Sequence, residues 1–436
     1  MTNGVSVREL VLDILLEVNE KGQYSHLVIR DVLNKYQYLE KQERAFLTRL
    51  AEGTIEHMLE MDFIINSFSN VKVKKMKPLI RNLLRMSVYQ LKYMDSIPDA
   101  AVCNEAVKLA GKRGFGQLRG FVNGVLRNIA RDRENLQYPD KNLEPVTYLE
   151  VRYSIPAWMV SQWLDNYGMD KTEEICASFL RQKPITIRTN LLRTTPQDLK
   201  EKLEQEGVTV SPVEKLEYAF EIEGFDYLNG LESFQEGLFY VQDISSMMVA
   251  EVASPQKDNY IIDVCAAPGG KASHLAEKLQ GTGMVEARDL TEYKVSLIEE
   301  NIERHGLTNM KAVQMDALCF DEESVEKADV LICDLPCSGL GVLGKKTDIR
   351  YKMTAEKQSS LVQLQRDILD TVYTYVKKGG TLVYSTCTIH KNENEGNVSW
   401  FIEKYPEFEL ISQEQILPGD VYHDGFFIAK LKRKSL

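Results

Sequence analysis

Apolar residues recur at helical spacing through the first 131 positions of the chain. The opening segment carries them three or four positions apart, at Val7, Leu10, Val11, Ile14, Leu15 and Val18. This spacing is typical of amphipathic helices with one buried face. The same period predicts further helices over 42–68, 78–94, 98–110 and 115–130. No alternating pattern interrupts them, so an all-helical bundle is predicted.

The pattern changes after a polar, proline-containing linker at 132–145. Helical and alternating segments are mixed from there to about position 235. Helices are predicted at 156–167 and 196–206, and strands at 185–189 and 208–213. This stretch therefore indicates a small α+β module that could serve as an adaptor or as a substrate-binding platform.

From position 238 onward, short apolar runs alternate with helical segments. Strands are predicted at 261–264, 283–287, 310–314, 330–333 and 381–384, and helices at 273–279, 294–304 and 358–376. This rhythm is typical of a mostly parallel sheet covered on both faces. Two late segments, 408–411 and 426–431, could close one edge as antiparallel strands. The predicted domains are therefore 1–138, 139–235 and 236–436.

Charge is divided unevenly along the 436 residues, whose formal net charge is −11. Residues 1–135 hold 21 Lys and Arg against 16 Asp and Glu, a balance of +5, whereas the remainder holds 32 against 48, a balance of −16. The basic residues of the first part cluster late, at Lys72, Lys74, Lys75, Lys77, Lys112, Arg113, Arg119, Arg127, Arg131 and Arg133. A basic bundle on an acidic chain suggests a polyanionic partner, although for any single one of these residues a solvated helix face is the better interpretation.

Composition excludes several classes of protein. No apolar run approaches the about 20 residues that cross a bilayer, so no membrane association is expected. The seven cysteines lie without paired spacing, so neither a disulfide framework nor a metal site is predicted. An intracellular, cytoplasmic location follows as an expectation.

The stretch at 260–275 has the strand–turn–helix form that opens a nucleotide-binding α/β domain. Pro268, Gly269 and Gly270 follow the apolar strand and allow a close approach of the backbone to a ligand. The spacing lacks the Gly-x-Gly-x-x-Gly of a dinucleotide site. A P-loop is excluded too, because Cys265 and Ala272 stand where it needs Gly and Ser or Thr. A nucleoside-containing ligand without a triphosphate is therefore predicted.

Three acids end successive predicted strands: Asp289, Asp316 and Asp334. Each alone could be a turn residue or a helix cap. Together at one edge of a sheet they suit a ligand with a ribose, an adenine amino group and an ammonium, and Lys271 could face its carboxylate. S-adenosylmethionine has all of these groups.

Two cysteines, Cys337 and Cys387, follow strands on the same predicted edge, in loops of small and polar residues. A thiol near an electropositive ligand is expected to gain thiolate character. Carbon 5 of a pyrimidine accepts a methyl group only after a thiolate has added to carbon 6. One thiol for attack, another group for release and Asp334 as the acid near N3 would fit this chemistry. The residues themselves do not rank the two thiols.

Three blocks carry a family resemblance: Asp-Val-Cys-Ala-Ala-Pro-Gly-Gly-Lys at 263–271, Asp-Leu-Pro-Cys-Ser-Gly at 334–339 and Ser-Thr-Cys-Thr at 385–388. They resemble the signature blocks of RNA cytosine-5 methyltransferases. The helical stretches at 97–110 and 121–128 resemble a NusB-like RNA-binding domain. The pairing is similar to the Sun family, which implies a NusB-like bundle, a small α+β module and a Rossmann-like class I methyltransferase domain.

The resemblance also implies the roles of residues. The cofactor S-adenosylmethionine would lie against Cys265, Ala266, Ala267, Pro268, Gly269, Gly270, Lys271, Asp289, Asp316 and Asp334. Cys387 would be the nucleophile and Cys337 the residue that aids release. The implied substrate is cytosine 967 of 16S ribosomal RNA before small-subunit assembly, with no obligate protein partner. The same chemistry on tRNA and a non-catalytic assembly factor remain as alternatives.

Overall fold

The structure, a computed structural model, describes residues 6–419 and 424–435. It divides into two compact units, which we call the helical unit and the sheet unit. The helical unit comprises Met1–Leu180 and Leu343–Met353, and the sheet unit comprises Arg181–Val342 and Thr354–Leu436. The division into domains 1–138, 139–235 and 236–436 remains a prediction. No helix in the described part of the chain is both long enough and apolar enough to cross a membrane.

The helical unit contains the all-helical bundle predicted for the first 131 positions, and helices beyond that limit belong to the same unit. Its helices are α1 (Val7–Lys21), α2 (Ser25–Lys35), α3 (Lys41–Glu56), α4 (Met58–Phe68), α5 (Pro78–Tyr93), α6 (Asp99–Lys112), α7 (Arg119–Asp132), α8 (Pro145–Tyr153) and α9 (Ala157–Ser178). The apolar stripes of α1 to α7 face one shared core, which contains Leu15, Leu47 and Leu83. The single helix predicted over 42–68 is two helices, because the backbone leaves helical geometry at His57, where φ is −98° and ψ is 22°.

The sheet unit begins with a four-stranded antiparallel sheet. Its strands are β1 (Ile185–Thr189), β2 (Thr209–Pro212), β3 (Ala219–Glu223) and β4 (Phe239–Val241), in the order β2-β3-β1-β4. Helices α10 (Pro196–Gln205) and α11 (Glu232–Gln235) accompany these strands. The prediction of an α+β module is confirmed, with β3 and β4 as two strands that the sequence pattern had not shown.

The rest of the sheet unit is a seven-stranded sheet. Its strands are β5 (Tyr260–Asp263), β6 (Met284–Asp289), β7 (Met310–Gln314), β8 (Ala328–Asp334), β9 (Val376–Thr386), β10 (Phe408–Ile416) and β11 (Phe426–Arg433). The helices that follow α11 in the chain are α12 (Ile244–Ala253), α13 (Gly270–Lys278), α14 (Glu292–His305), α15 (Ile349–Lys352, in the helical unit), α16 (Ala355–Val372) and α17 (Glu395–Lys404).

The strand order is β10-β11-β9-β8-β5-β6-β7. Strands β5 to β9 are parallel, and β10 and β11 are antiparallel at one edge, as the sequence pattern suggested. Both faces are covered, since Ile261 packs into one apolar cluster and its neighbour Ile262 into the other. The order reverses at β5, between β8 and β6. Such a reversal opens a crevice at the carboxyl ends of the strands, where ligands of α/β proteins bind.

The segment Leu343–Met353, which follows the Cys337 loop in the chain, belongs to the helical unit. Arg350 within it is fully buried and donates hydrogen bonds to the carbonyl oxygens of Tyr153, Ser154 and Leu343 at 3.3, 3.4 and 3.0 Å. Asp348 accepts a 2.7 Å hydrogen bond from the Ser25 hydroxyl. The Arg350 side chain therefore stabilises the helical unit through buried hydrogen bonds.

Arg350→Met should lower the free energy of unfolding by about 2–4 kcal/mol, because three carbonyl groups lose the hydrogen bonds that the buried guanidinium donates. Lys346→Met is the matched control, since Lys346 lies exposed in the same segment and should change stability by less than about 0.5 kcal/mol. Denaturant unfolding of the full chain measures both values. Equal stability of the two variants would show that these bonds contribute nothing.

Candidate active site

The loop between β5 and α13 is shaped by its glycines and by Asp289. Gly269 caps α13 with a φ of +104°, a conformation that residues with a side chain rarely adopt. The Asp289 carboxylate accepts hydrogen bonds from Ala267 N at 3.0 Å, Leu290 N at 2.8 Å and Lys294 Nζ at 2.9 Å. The first of these bonds ties the loop to the end of β6. Asp289 is therefore buried and held at the predicted edge.

The third acid of the predicted set has a different setting. Asp316 lies two residues beyond β7 and is half-buried. Its Oδ1 atom accepts a hydrogen bond from Leu318 N at 2.9 Å, while the preceding residue, Met315, donates its N–H to the Asp289 carbonyl. The backbone thus brings Asp316 to the same edge as Asp289, but its carboxylate is engaged in its own turn.

Asp334 and Lys271 form the charged pair of the site. Lys271 Nζ lies 2.7 Å from Asp334 Oδ2, and the Ser385 hydroxyl donates to Asp334 Oδ1 at 2.8 Å. Burial alone would lower the pKa of Lys271, but the Asp334 carboxylate outweighs it and raises that pKa above its ordinary value. The start of α13, which follows β5, and the carboxyl ends of β8 and β9 therefore meet at one point.

The two thiols also meet there. Cys337 Sγ and Cys387 Sγ are 3.2 Å apart, although 50 positions separate the residues. The hydrogen bond with Cys387 and burial raise the pKa of the Cys337 thiol well above its ordinary value. In the protein alone, Cys337 thus lacks the thiolate character expected from its sequence context. Lys271 interacts electrostatically with Cys387.

Sequence reasoning missed the buried carboxylate of Asp263, the last residue of β5. Burial and the neighbouring Asp334 raise its pKa to about 7. Its Oδ2 atom is buried and finds no hydrogen-bond partner among the described residues. Burial and the Asp263 charge also raise the pKa of the Cys265 thiol, which keeps that thiol protonated. The sequence pattern did not single out this acid, because Asp263 is the last residue of a strand that was predicted only from its apolar neighbours.

The edge therefore combines groups that suit a small cationic, hydroxyl-bearing ligand. It offers the carboxylates of Asp289 and Asp263, one of which has a free buried oxygen, and a glycine turn that leaves the backbone open to a close approach. These groups fit S-adenosylmethionine. Within the described residues, no group of three or more His, Cys, Asp or Glu is placed to hold a metal ion.

Comparison with known proteins gives matches along most of the chain. Residues 250–432 match the family described as 16S rRNA methyltransferase RsmB/F. Residues 5–131 match the NusB family, and residues 155–226 match the ferredoxin-like domain of RsmF/B-like methyltransferases. These matches confirm the fold expected from the resemblance: a NusB-like bundle, a small α+β module and a Rossmann-like methyltransferase domain.

Individual relatives match over their full length. A probable ribosomal RNA small subunit methyltransferase B of Bacillus subtilis is 38% identical, with 99% of each chain covered. A protein of the same description in Synechocystis is 32% identical, over 98% of this chain and 100% of the relative. The crystal structure of PH0851 superimposes with a TM-score of 0.82 at 26% identity, covering 98% of this chain and 99% of that one.

Proposed function

The chain belongs to the ribosomal RNA small subunit methyltransferase B family, and from this membership we propose that it methylates carbon 5 of one cytosine in 16S ribosomal RNA. By resemblance the target is cytosine 967. The observation that carries the proposal is the approach of two thiols to 3.2 Å beside the Lys271–Asp334 pair. Methylation of cytosine carbon 5 needs this combination of sulfur nucleophile and nearby acid.

In the proposed reaction, Cys387 attacks carbon 6 of the cytosine and forms a covalent bond to it. Asp334 is the proposed acid near N3, where it helps to neutralise charge as the adduct forms, so that carbon 5 becomes nucleophilic. S-adenosylmethionine supplies the methyl group when bound against the loop from Cys265 to Lys271 and the carboxylates of Asp289, Asp316 and Asp334. After methyl transfer a base removes the carbon 5 proton, the electron pair of that bond re-forms the double bond between carbons 5 and 6, and the Cys387 thiolate leaves carbon 6, a step that Cys337 aids.

The target base must leave its stack to reach this site. We therefore propose that the substrate is 16S ribosomal RNA before it is folded into the small subunit, in the cytoplasm, and that domain 1–138 binds the RNA backbone. Domain 139–235 would complete the RNA-binding surface, and domain 236–436 would carry the catalytic residues.

Mapping of 5-methylcytosine tests the function directly. The purified chain, S-adenosylmethionine and protein-free 16S transcript should yield one methylated cytosine, at position 967, while tRNA transcripts should yield none. Methylation of tRNA with none on 16S transcript would favour the tRNA alternative. No methylation of either RNA, alongside retained RNA binding, would favour the assembly-factor alternative.

The structure sorts the basic residues of the helical unit into two groups. Lys112, Arg113 and Arg133 form ion pairs with Glu9, Asp13 and Asp99 at 2.5 to 2.8 Å. In contrast, Lys74, Lys75 and Lys77 are exposed and make no ion pair with a described residue. Only a cation without an internal acid partner brings its full charge to a phosphate. Arg119 and Arg127 are exposed as well, but the run at 74–77 brings three such cations within four positions and is therefore the preferred candidate for contact with RNA.

The triple variant Lys74→Ala, Lys75→Ala, Lys77→Ala should weaken RNA binding and lower the slope of log Kd against log salt concentration by about 2, because each lost phosphate contact removes about 0.7. The matched control replaces Lys21, Lys108 and Lys112, three exposed lysines paired with Glu17, Glu105 and Glu9. It makes the same change in net charge. Equal salt slopes for the two triple variants would remove the 74–77 run from the RNA interface.

A further inference from the structure

The loops that carry the two thiols are both held by a pair of neighbouring residues, Glu393 and Asn394, just before α17. Both side chains are fully buried. The Glu393 carboxylate accepts hydrogen bonds from the backbone N–H of Ser338, at 2.8 Å, and from the hydroxyl of the same residue. Ser338 directly follows Cys337. One buried carboxylate therefore fixes the loop on which Cys337 lies.

Asn394 does the same for the other loop. Its Oδ1 atom accepts a hydrogen bond from the Thr386 hydroxyl at 2.5 Å, and its Nδ2 atom donates to the Thr388 carbonyl at 2.9 Å. These residues flank Cys387 on both sides. One amide side chain thus holds the chain immediately before and immediately after this thiol.

A second layer of contacts holds Glu393 itself. Gln365 on α16 donates from Nε2 to Glu393 Oε2 at 3.1 Å and to the Pro336 carbonyl at 2.9 Å. The Tyr384 hydroxyl donates to the Glu393 carbonyl. The two cysteine loops also touch directly, because the hydroxyl oxygens of Ser338 and Thr388 are 2.8 Å apart. These hydrogen bonds hold the two loops at a fixed separation, and this separation sets the distance between their thiols.

We propose that Glu393 and Asn394 are positioning residues for the reaction, Glu393 for Cys337 and Asn394 for Cys387. This role rests on the function proposed above. Because the two residues are consecutive, a single short segment of the chain fixes the positions of both thiols relative to each other. The two substitutions should then affect different steps: attack depends on the Asn394 contacts, and release depends on the Glu393 contacts.

Glu393 also acts through its charge. Its negative charge adds to the hydrogen bond with Cys387 and to burial in raising the pKa of the Cys337 thiol. Three other titratable groups lie near Glu393 and the two thiols. His390 Nδ1 is 3.2 Å from Glu393 Oε1. Tyr384 interacts electrostatically with Cys337, and Lys271 does so with Cys387. Glu393 is the carboxylate that favours a protonated Cys337.

The first test measures thiol reactivity without RNA. In the full chain carrying Cys387→Ala, the rate of Cys337 alkylation by iodoacetamide is followed by peptide mass spectrometry across pH. Adding Glu393→Gln should move this profile to lower pH, since removal of the negative charge favours the thiolate. A profile that lies one pH unit lower corresponds to about tenfold more thiolate at a given pH. Adding Glu393→Asp keeps the charge and should restore the profile. Asn392→Ala, an exposed neighbour, controls for changes in this turn.

The second test follows single turnovers with 16S transcript and S-adenosylmethionine, using denaturing gels to detect the covalent adduct. Glu393→Gln should form the adduct at near the unsubstituted rate but release it at least about tenfold more slowly. Asn394→Ala should form the adduct at least about tenfold more slowly, without accumulation. Circular dichroism confirms that each variant is folded.

The outcomes separate the two proposals. Equal slowing of both steps in both variants, together with an unmoved alkylation profile, would overturn the positioning role. Absence of methyl transfer by the unsubstituted chain would overturn the proposed function. A shifted alkylation profile in that case would still support the electrostatic control of Cys337 by Glu393.

Discussion

Cys387→Ala is expected to lower methyl transfer to 16S transcript by more than about 10⁴-fold and to form no covalent adduct with RNA. Without the sulfur at 387, carbon 6 has no attacking group, and carbon 5 cannot become nucleophilic. The choice of Cys387 as the attacking thiol rests on the family resemblance, and Lys271 is a cation that interacts with this sulfur. Incorporation of labelled methyl groups measures the loss.

The companion variant Cys337→Ala should instead trap the reaction after attack, as an adduct that survives denaturation. Cys337 keeps its proton because its thiol is hydrogen-bonded to Cys387 and buried, and the Glu393 charge is close by. It is therefore suited to a later step than attack. Cys319→Ala serves as the matched control, because Cys319 is an exposed free cysteine, and it should react normally. An adduct with Cys387→Ala instead would reverse the two roles.

Asp334→Asn is expected to lower turnover by about 10²–10⁴-fold, the range of general acid–base contributions. The substitution preserves shape but removes the charge that pairs with Lys271 at 2.7 Å and the acid proposed to serve N3. Asp334 is also one of the proposed cofactor contacts, so S-adenosylmethionine binding should weaken as well. Turnover and the KM for S-adenosylmethionine, measured at saturating RNA, report the two effects separately.

The matched control for Asp334→Asn is Ser385→Ala. It removes only the 2.8 Å hydrogen bond to Asp334 Oδ1 and leaves the charge in place. Its effect should stay within about tenfold, the value of one ordinary hydrogen bond. Near-normal turnover by Asp334→Asn would exclude this residue as the acid of the reaction, whatever the control does.

Much of the architecture could be predicted because local pattern and local structure agree. The strand predicted at 310–314 is β7, Met310–Gln314, and the strand predicted at 185–189 is β1, Ile185–Thr189. Elsewhere the boundaries shifted. The helix predicted over 358–376 ends at Val372, and β9 already begins at Val376. Its first residues, Val376-Lys-Lys-Gly-Gly, alternate too weakly to show a strand before its neighbours are known.

Other elements depended on contacts across the chain. Strand β4, Phe239–Val241, has only three residues and pairs with β1. A run this short carries no periodic signal of its own, and it is a strand because the sheet completes its hydrogen bonds. The segment Leu343–Met353 lies within the predicted domain 236–436, whereas in the structure it belongs to the helical unit, where Arg350 is buried against backbone carbonyls.

The sequence by itself determined the secondary-structure class of each region, because periodic apolar positions specify helices and strands. It also determined which reactive groups are present, since residues such as Cys337, Cys387 and Asp334 limit the possible reaction. Only the tertiary structure decided which of these groups meet. Distance across a sheet depends on strand order, which brings β8 beside β9 although 41 residues lie between Asp334 and Val376. The buried support from Glu393 and Asn394 follows the same rule, because a polar side chain shows its purpose only once its hydrogen-bond partners are in place.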